Sequence, residues 1–465
     1  MSVEPIGLVA ILVGLVCLQF GYLSTVQVLI VATAMGAAAA LFVGGANIQP
    51  AHLLLGFATA GAFWRSRERE ASLRALSFPR PGFWLLCLVA FGILSAFLMP
   101  RLMEGYMLIV PLGLTEHAPT GTTVPLGPVS SNLTQSIYLT GDLICFAAIA
   151  AIASSPAGFV AVANGIIACA LVNILFALLD IGTYYTGTGW LLGFMRNAQY
   201  VLHVESEVGG LKRIAGGFSE ASAFCQYTLG LLGFTGTLWV CARRPTLTGV
   251  AAWTLLVLLV LSTSSSGLAG TPPVLLLLYW TAAKRHGFHP SQPMVSAALL
   301  CTPLVVVALL IAAQFDPELT KPIRDYIDEL IFNKATTDSG IERSFWNTNA
   351  IQNFYDSFGF GVGLGTVRTS SFPLALLSNV GVIGTAFYLL FAVTAFAQRR
   401  GIPGSYQSDV RLAARNGCFG LLIGQVISSA AVDQGLLFYV LAGLACAEPE
   451  RSEVRVFRQP SRVPA

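Results

Sequence analysis

Long apolar runs separated by short polar or basic connections recur along almost the whole chain, near residues 5–22, 26–45, 50–64, 82–99, 136–154, 158–180, 222–241, 247–263, 267–283, 294–313, 374–397, 411–430 and 434–447. Runs such as Leu255 to Leu261 and Pro303 to Ala313 are continuously apolar. A transmembrane β-barrel would instead show short alternating segments. At roughly twenty residues per crossing of about 30 Å of hydrocarbon, the pattern predicts an all-α polytopic membrane protein of about twelve or thirteen transmembrane helices. One polar stretch, Gln314 to Pro373, is far longer than a connection between helices requires, and long connections of this kind tend to carry function.

Composition agrees with that class: the chain is 55% hydrophobic and 11% charged, with a mean hydropathy of +0.72. The net charge of +3 implies no nucleic-acid partner, because the basic residues sit in short loops. The cysteines, among them Cys17, Cys87, Cys145, Cys169 and Cys301, fall mostly inside apolar runs and form no C-x-x-C pair. They read as small buried hydrophobes rather than as disulfides or metal ligands. No separate signal peptide is expected, since the first apolar segment lacks a basic leader and runs almost directly into the second.

Lys and Arg set the orientation. Arg65, Arg67, Arg69, Arg74 and Arg80, then Arg243 and Arg244, Lys284 and Arg285, Arg399 and Arg400, and Arg451 to Arg462 mark the cytoplasmic connections. The expected division is helices over 1–181, an outer loop over 182–221, helices over 222–313, the large outer loop over 314–373, helices over 374–447 and a cytoplasmic tail over 448–465. Arg196, Lys212, Arg213, Arg343 and Arg368 then lie on the side where basic residues are disfavoured, which marks them as functional candidates.

Two constellations stand out. In the first, Arg196 to Tyr227, Gly209, Gly210, Gly216 and Gly217 flank Lys212 and Arg213, a pattern that lets backbone approach an anion while a guanidinium donates in pairs. Ser219 is placed to cap the following helix, beside Glu220 and Ser222. A re-entrant loop with interfacial cations explains the same residues. In the second, Ile341 to Ser371, Trp346, Phe354 and Tyr355 follow Glu342 and Arg343 at helical spacing, which suits an interfacial helix or a platform for sugar rings. Gly359, Gly361, Gly363 and Gly365 then lead to Arg368. The run lacks the Lys-Ser/Thr of a nucleotide loop, but backbone amides and Arg368 would suit a lipid-linked pyrophosphate; a flexible turn is the alternative.

Other residues carry less. Ser262, Thr263, Ser264, Ser265 and Ser266 offer hydroxyls to a saccharide at the end of a span, or close a tight helix turn. His286 and His289 have no accompanying ligand and read as solvated. Asn132-Leu133-Thr134 matches a glycosylation acceptor. Asp142 and Asp433, in or beside apolar segments, are functional candidates by default.

RIAGGFSEASAF from Arg213, STSSSG from Ser262, ERSFW from Glu342, GFGVGLGTVRTSS and SNVGVIGTAFYLLF from Ser378 together resemble the O-antigen ligase and polysaccharide polymerase superfamily, most closely its exopolysaccharide polymerases. The resemblance covers about Arg196 to Phe391. It implies a metal-independent, cofactor-free inverting glycosyltransferase of the bacterial inner membrane, acting on undecaprenyl-pyrophosphate-linked glycan at the periplasmic face. Catalytic roles are implied for Arg213, Arg343 and Arg368 on the donor pyrophosphate and for Glu220 as base, with Glu342 as the other carboxylate. Substrate contacts are expected from Arg196, Lys212, Ser264, Ser265, Glu342, Trp346 and Tyr355. A chain-length regulator and export machinery are the expected partners. The ligase branch carries a histidine before the helix that follows the large loop, where this chain has Thr369-Ser370-Ser371-Phe372-Pro373 and no histidine after His289. A ligase transferring glycan to a lipid or protein acceptor is one alternative. A lipid-linked sugar flippase is the other, against which stand the absence of an evident repeat and the scarcity of mid-span charges.

Overall fold

The structure, a computed structural model, describes residues 2–43, 46–118, 122–200, 202–208, 210–286, 337–398 and 400–450. The apolar run 294–313, His289 and the first part of the large loop lie outside the described residues. The protein is mostly helical. In chain order the helices are α1 (Pro5–Phe20), α2 (Tyr22–Ala32), α3 (Pro50–Phe63), α4 (Ser66–Ala75), α5 (Pro81–Leu102), α6 (Ser130–Ile152), α7 (Pro156–Tyr185), α8 (Ala221–Val240), α9 (Pro245–Leu261), α10 (Ser265–His286), α11 (Asp338–Asp356), α12 (Phe372–Phe396), α13 (Tyr406–Ile427) and α14 (Leu436–Cys446). Four of them, α5, α6, α7 and α12, are long and apolar enough to cross a membrane. This marks the protein as membrane-associated.

Local chemistry explains many boundaries. Proline opens α1, α3, α5, α7 and α9, where its missing N–H costs no helical bond. Ser155, Thr337 and Ser405 cap α7, α11 and α13 by accepting from the amides of Gly158, Gly340 and Ser408. The expected span over 26–45 is corrected. Its helix stops at Ala32, and the chain then turns into antiparallel strands β2 (Leu41–Val43) and β3 (Ala46–Ile48), with β1 (Ser2–Val3) beside β2. Short hairpins also form between β4 (Leu108–Ile109) and β5 (Val124–Pro125), and between β6 (Glu207–Val208) and β7 (Leu211–Lys212).

Small residues bring the central pair, α8 and α13, together. A Cβ at Gly233 would stand 2.5 Å from the Asn416 carbonyl oxygen, and one at Gly420 would stand 2.3 Å from that of Leu229. Such close approach is how helices gain packing energy where lipid offers no hydrophobic drive.

The bundle has two unlike ends. At the basic end, connections carry Arg65, Arg243 and Arg400, and the helix ends carry Arg285 and Arg411. Arg243 and Arg285 both pair with the buried Asp409, at 2.8 and 2.9 Å, and Arg411 pairs with Glu450. At the loop end, 337–371 bonds both 103–129 and 428–435, and 186–220 packs on Asp180 and on the segment after α2. Segments 103–129 and 337–371 form a small core of their own from Met107, Ile109, Val124, Leu126, Ala350, Val362 and Val367.

Candidate functional site

The first constellation is an anion cradle, and the anion is the protein's own. Asp180, in the last turns of α7 and 1% exposed, points its carboxylate into the loop. Its Oδ2 accepts from the amides of Ala215 and Gly216 at 2.8 and 3.0 Å. Its Oδ1 takes Arg196 at 2.6 Å and Lys212 at 2.9 Å. Arg196 also donates to the Gly216 carbonyl, and Lys212 to those of Val204 and Arg213. Burial pulls the Lys212 ammonium below the ordinary lysine range, against the opposing pull of Asp180. Arg196 and Lys212, expected on substrate, are thus held by a buried carboxylate. Asp180 is what the sequence reading missed, although a lone ionisable residue in the apolar run 158–180 is the signal that singled out Asp142.

Arg213 is different. Among the described residues no carboxylate pairs with it, and its Nε is buried without a hydrogen-bond partner. Its charge reaches the Cys225 thiol, which packs on the turn between α9 and α10, 3.0 Å from the Ser262 hydroxyl. In that turn Ser264 and Ser266 share a hydroxyl bond of 2.9 Å, and Thr263 is left-handed (φ 51°) with its hydroxyl buried and unpartnered. Strain and unmet hydrogen-bonding capacity beside a cation at the start of α10 are features of a site that receives a ligand. Ser265, the first residue of α10, is half-buried. Glu220, not Ser219, is the N-cap of α8; its side chain makes no cap and instead accepts from the Ser222 hydroxyl.

The second constellation forms α11 and a buried turn. Gly359, Gly361, Gly363 and Gly365 all have positive φ, between 77° and 106°. Side chains are excluded as well: a Cβ at Gly361 would lie 2.6 Å from the Gly381 nitrogen, and one at Gly365 would lie 2.5 Å from the Ser131 oxygen. The amides of this turn are consumed internally. Val362 donates to Ser378, Gly363 to Asn379, Thr366 and Val367 to the Asn379 side chain, and Arg368 to Val110. The expected cradle of glycine amides around a pyrophosphate is therefore corrected for Gly359, Gly361 and Gly363, whose amides already donate to the Phe354 carbonyl, the Ser357 hydroxyl and the Asn379 carbonyl. The turn inserts where α12 breaks, at Gly381 (φ 62°, ψ −166°). Asn132 on α6 donates to the Leu364 carbonyl and the Thr366 hydroxyl, both at 2.8 Å, so the matched glycosylation acceptor is buried packing instead.

What this clamp presents is Arg368. The side chain is exposed, lies 4.5 Å from the centroid of the Trp346 ring, and pairs with no carboxylate among the described residues. Arg343 is half-buried, Glu342 is exposed, and Tyr355 is 67% exposed beside Phe354. A guanidinium held over the face of an indole can still turn N–H donors toward an oxyanion.

The segment 428–435 joins the two regions. Thr369 donates to the Ala430 and Ser429 carbonyls at 3.4 and 3.1 Å, and Gln226, next to Cys225, donates to Ser428. Arg213 and Arg368 thus stand at one end of the bundle, Arg368 next to Thr369, which bonds the strap, and Arg213 close to Cys225 on the helix whose Gln226 bonds it. No protein-family model matches this chain, and no curated protein matches it significantly.

Proposed function

We propose that the protein is a polysaccharide polymerase that joins pyrophosphate-linked oligosaccharide units on a polyprenyl lipid at the outer face of a bacterial inner membrane. The observation that carries this reading is the pair Arg213 and Arg368. Both are free of carboxylate partners among the described residues, and both stand at the end opposite the paired basic residues, next to residues that bond the same strap. In the reaction, the acceptor hydroxyl oxygen bonds the anomeric carbon of the donor sugar as the bond to pyrophosphate breaks. The electron pair leaves with the pyrophosphate, where the two guanidinium groups and Arg343 stabilise the developing charge. Glu220 takes the hydroxyl proton, with Glu342 the other candidate. Trp346, Tyr355 and the half-buried Ser265 face sugar, while Ser264, expected on substrate, is fully buried and bonded to Ser266.

A second reading, a lipid-linked sugar transporter, draws on the break at Gly381, on the buried carboxyl of Asp142 and on the half-buried carboxyl of Asp433, since discontinuous helices and buried charges mark transport sites. One experiment separates the two. Purified protein given only lipid-pyrophosphate-linked repeat units should build a ladder of longer lipid-linked glycans without nucleotide. Arg213→Lys and Arg368→Lys should slow it by about 10²–10³-fold with unchanged melting, because lysine cannot reproduce a paired donor. Translocation across vesicles with no new glycosidic bond, or ladders at full rate from both variants, would overturn the polymerase.

A further inference from the structure

Halfway down the bundle lies a polar column that the proposed reaction does not use. Asp142 is the thirteenth residue of α6, about 18 Å below that helix's start at a rise of 1.5 Å per residue. It is 1% exposed. The strap that begins at Ser428 descends to the same depth, because α14 has only 11 residues and starts at Leu436, whose carbonyl accepts from the Cys145 thiol one turn below Asp142. Irregular backbone persists so deep only where it is enclosed by protein or lines a wet cavity. The strap brings the half-buried Asp433 carboxyl within hydrogen-bond reach of Asp142, and the Gly435 amide donates to its Oδ1 at 2.7 Å.

Among the described residues the surroundings supply no compensating cation. Facing the pair are Tyr138 and Cys145 from α6, His52 from α3 and Tyr439 from α14, and no described Lys or Arg bears on Asp142. The Asp142 Oδ2 has no donor, and the buried Nδ1 of His52 has no partner. His52 lies over Tyr138, with ring centroids 5.4 Å apart, and reaches Asp433 electrostatically. Above them on α6, Gln135, 8% exposed, has a buried oxygen without a partner, and it packs on Gly365 of the glycine turn. Two carboxylates in hydrogen-bond contact without a cation repel, and one shared proton removes the repulsion and fills the missing donor.

We propose that Asp142 and Asp433 hold one proton between them and form a proton-binding site inside the bundle, linked by the 428–435 strap to both arginine sites. His52 and Gln135 are its route toward the loop end. The site stands on this geometry whether the protein polymerises glycans or moves them.

The test uses the full-length protein in detergent or vesicles and dicyclohexylcarbodiimide, an apolar reagent that reacts only with protonated carboxyls. Near neutral pH it should label Asp142 or Asp433, read by peptide mass spectrometry. Asp142→Asn and Asp433→Asn keep the shape and supply an amide donor in place of the proton, so the remaining carboxylate should lose labelling by about tenfold or more. Infrared spectroscopy gives the second readout: a stretching band of an un-ionised carboxyl in the native protein that disappears in Asp142→Asn. Absence of that band, or undiminished labelling of Asp433 in Asp142→Asn with folding intact, would overturn the proposal.

Discussion

Two cationic loops at one end of the bundle share a vocabulary of arginine and glycine and put it to opposite uses. In 196–217, Arg196, Lys212 and two backbone amides converge on Asp180, a carboxylate from the neighbouring helix, and Arg213 alone of that loop's cations is left without a carboxylate among the described residues. In 337–371 the glycine turn closes on the backbone of α6 and α12, and its cation, Arg368, is left outside on the face of Trp346. The difference shows that an anion-binding pattern in a sequence does not say whose anion it binds. Where the bundle supplies a buried carboxylate, the cations hold the fold; where it supplies none, they are available to a ligand.

The sharpest way to break this comparison is to remove Asp180. Asp180→Ala strands two buried cations and two buried amides, and taking one partner from such a pair costs about 3–5 kcal/mol. Thermal unfolding in detergent should show a large loss of stability, or folded protein should fail to accumulate. Arg368→Ala is the contrasting arm and should leave melting nearly unmoved, since only an exposed stacking contact is lost. Equal melting of both variants would erase the distinction.

The helices were legible because their signal is a continuous apolar run, and so was α11, whose aromatic residues recur at helical spacing. Candidate residues were legible as types. What hid was pairing. Asp180 lies 16 residues from Arg196 and 32 from Lys212 along the chain, and only the packing of the loop back on α7 brings them together. The glycine run read equally as a cradle or a turn, because its outcome depends on Ser131, Asn379 and Gly381, remote positions whose backbone it touches. The end of α2 at Ala32 was hidden for a similar reason: Met35 to Val43 is apolar enough to extend a helix, but the Ala37 amide bonds the Gly217 carbonyl across the loop end.

That glycine turn sharpens the comparison at intermediate cost. Gly365→Ala adds a methyl 2.5 Å from the Ser131 oxygen at a φ of 77°, so both sterics and backbone oppose it. A loss of roughly 1–3 kcal/mol is expected, together with weakened presentation of Arg368. Both effects should appear: lower melting, and slower glycan transfer than the stability loss accounts for. Transfer at the native rate would mean that the turn does not position Arg368.

The smallest effect should come from the basic end, where Arg243 and Arg285 share one oxygen of Asp409. Both arginines are about a third exposed, so either can be removed while the other still serves the carboxylate. Arg243→Ala or Arg285→Ala alone should cost about 0–1 kcal/mol, in the range of solvent-exposed pairs. Together they leave Asp409 buried at 1% exposure with no cation, so the double variant should lose more than the sum of the singles. A double-mutant cycle on melting in detergent measures that excess. Strict additivity would mean that Asp409 finds another partner, and that the basic end, unlike the Asp180 cradle, does not depend on its buried carboxylate.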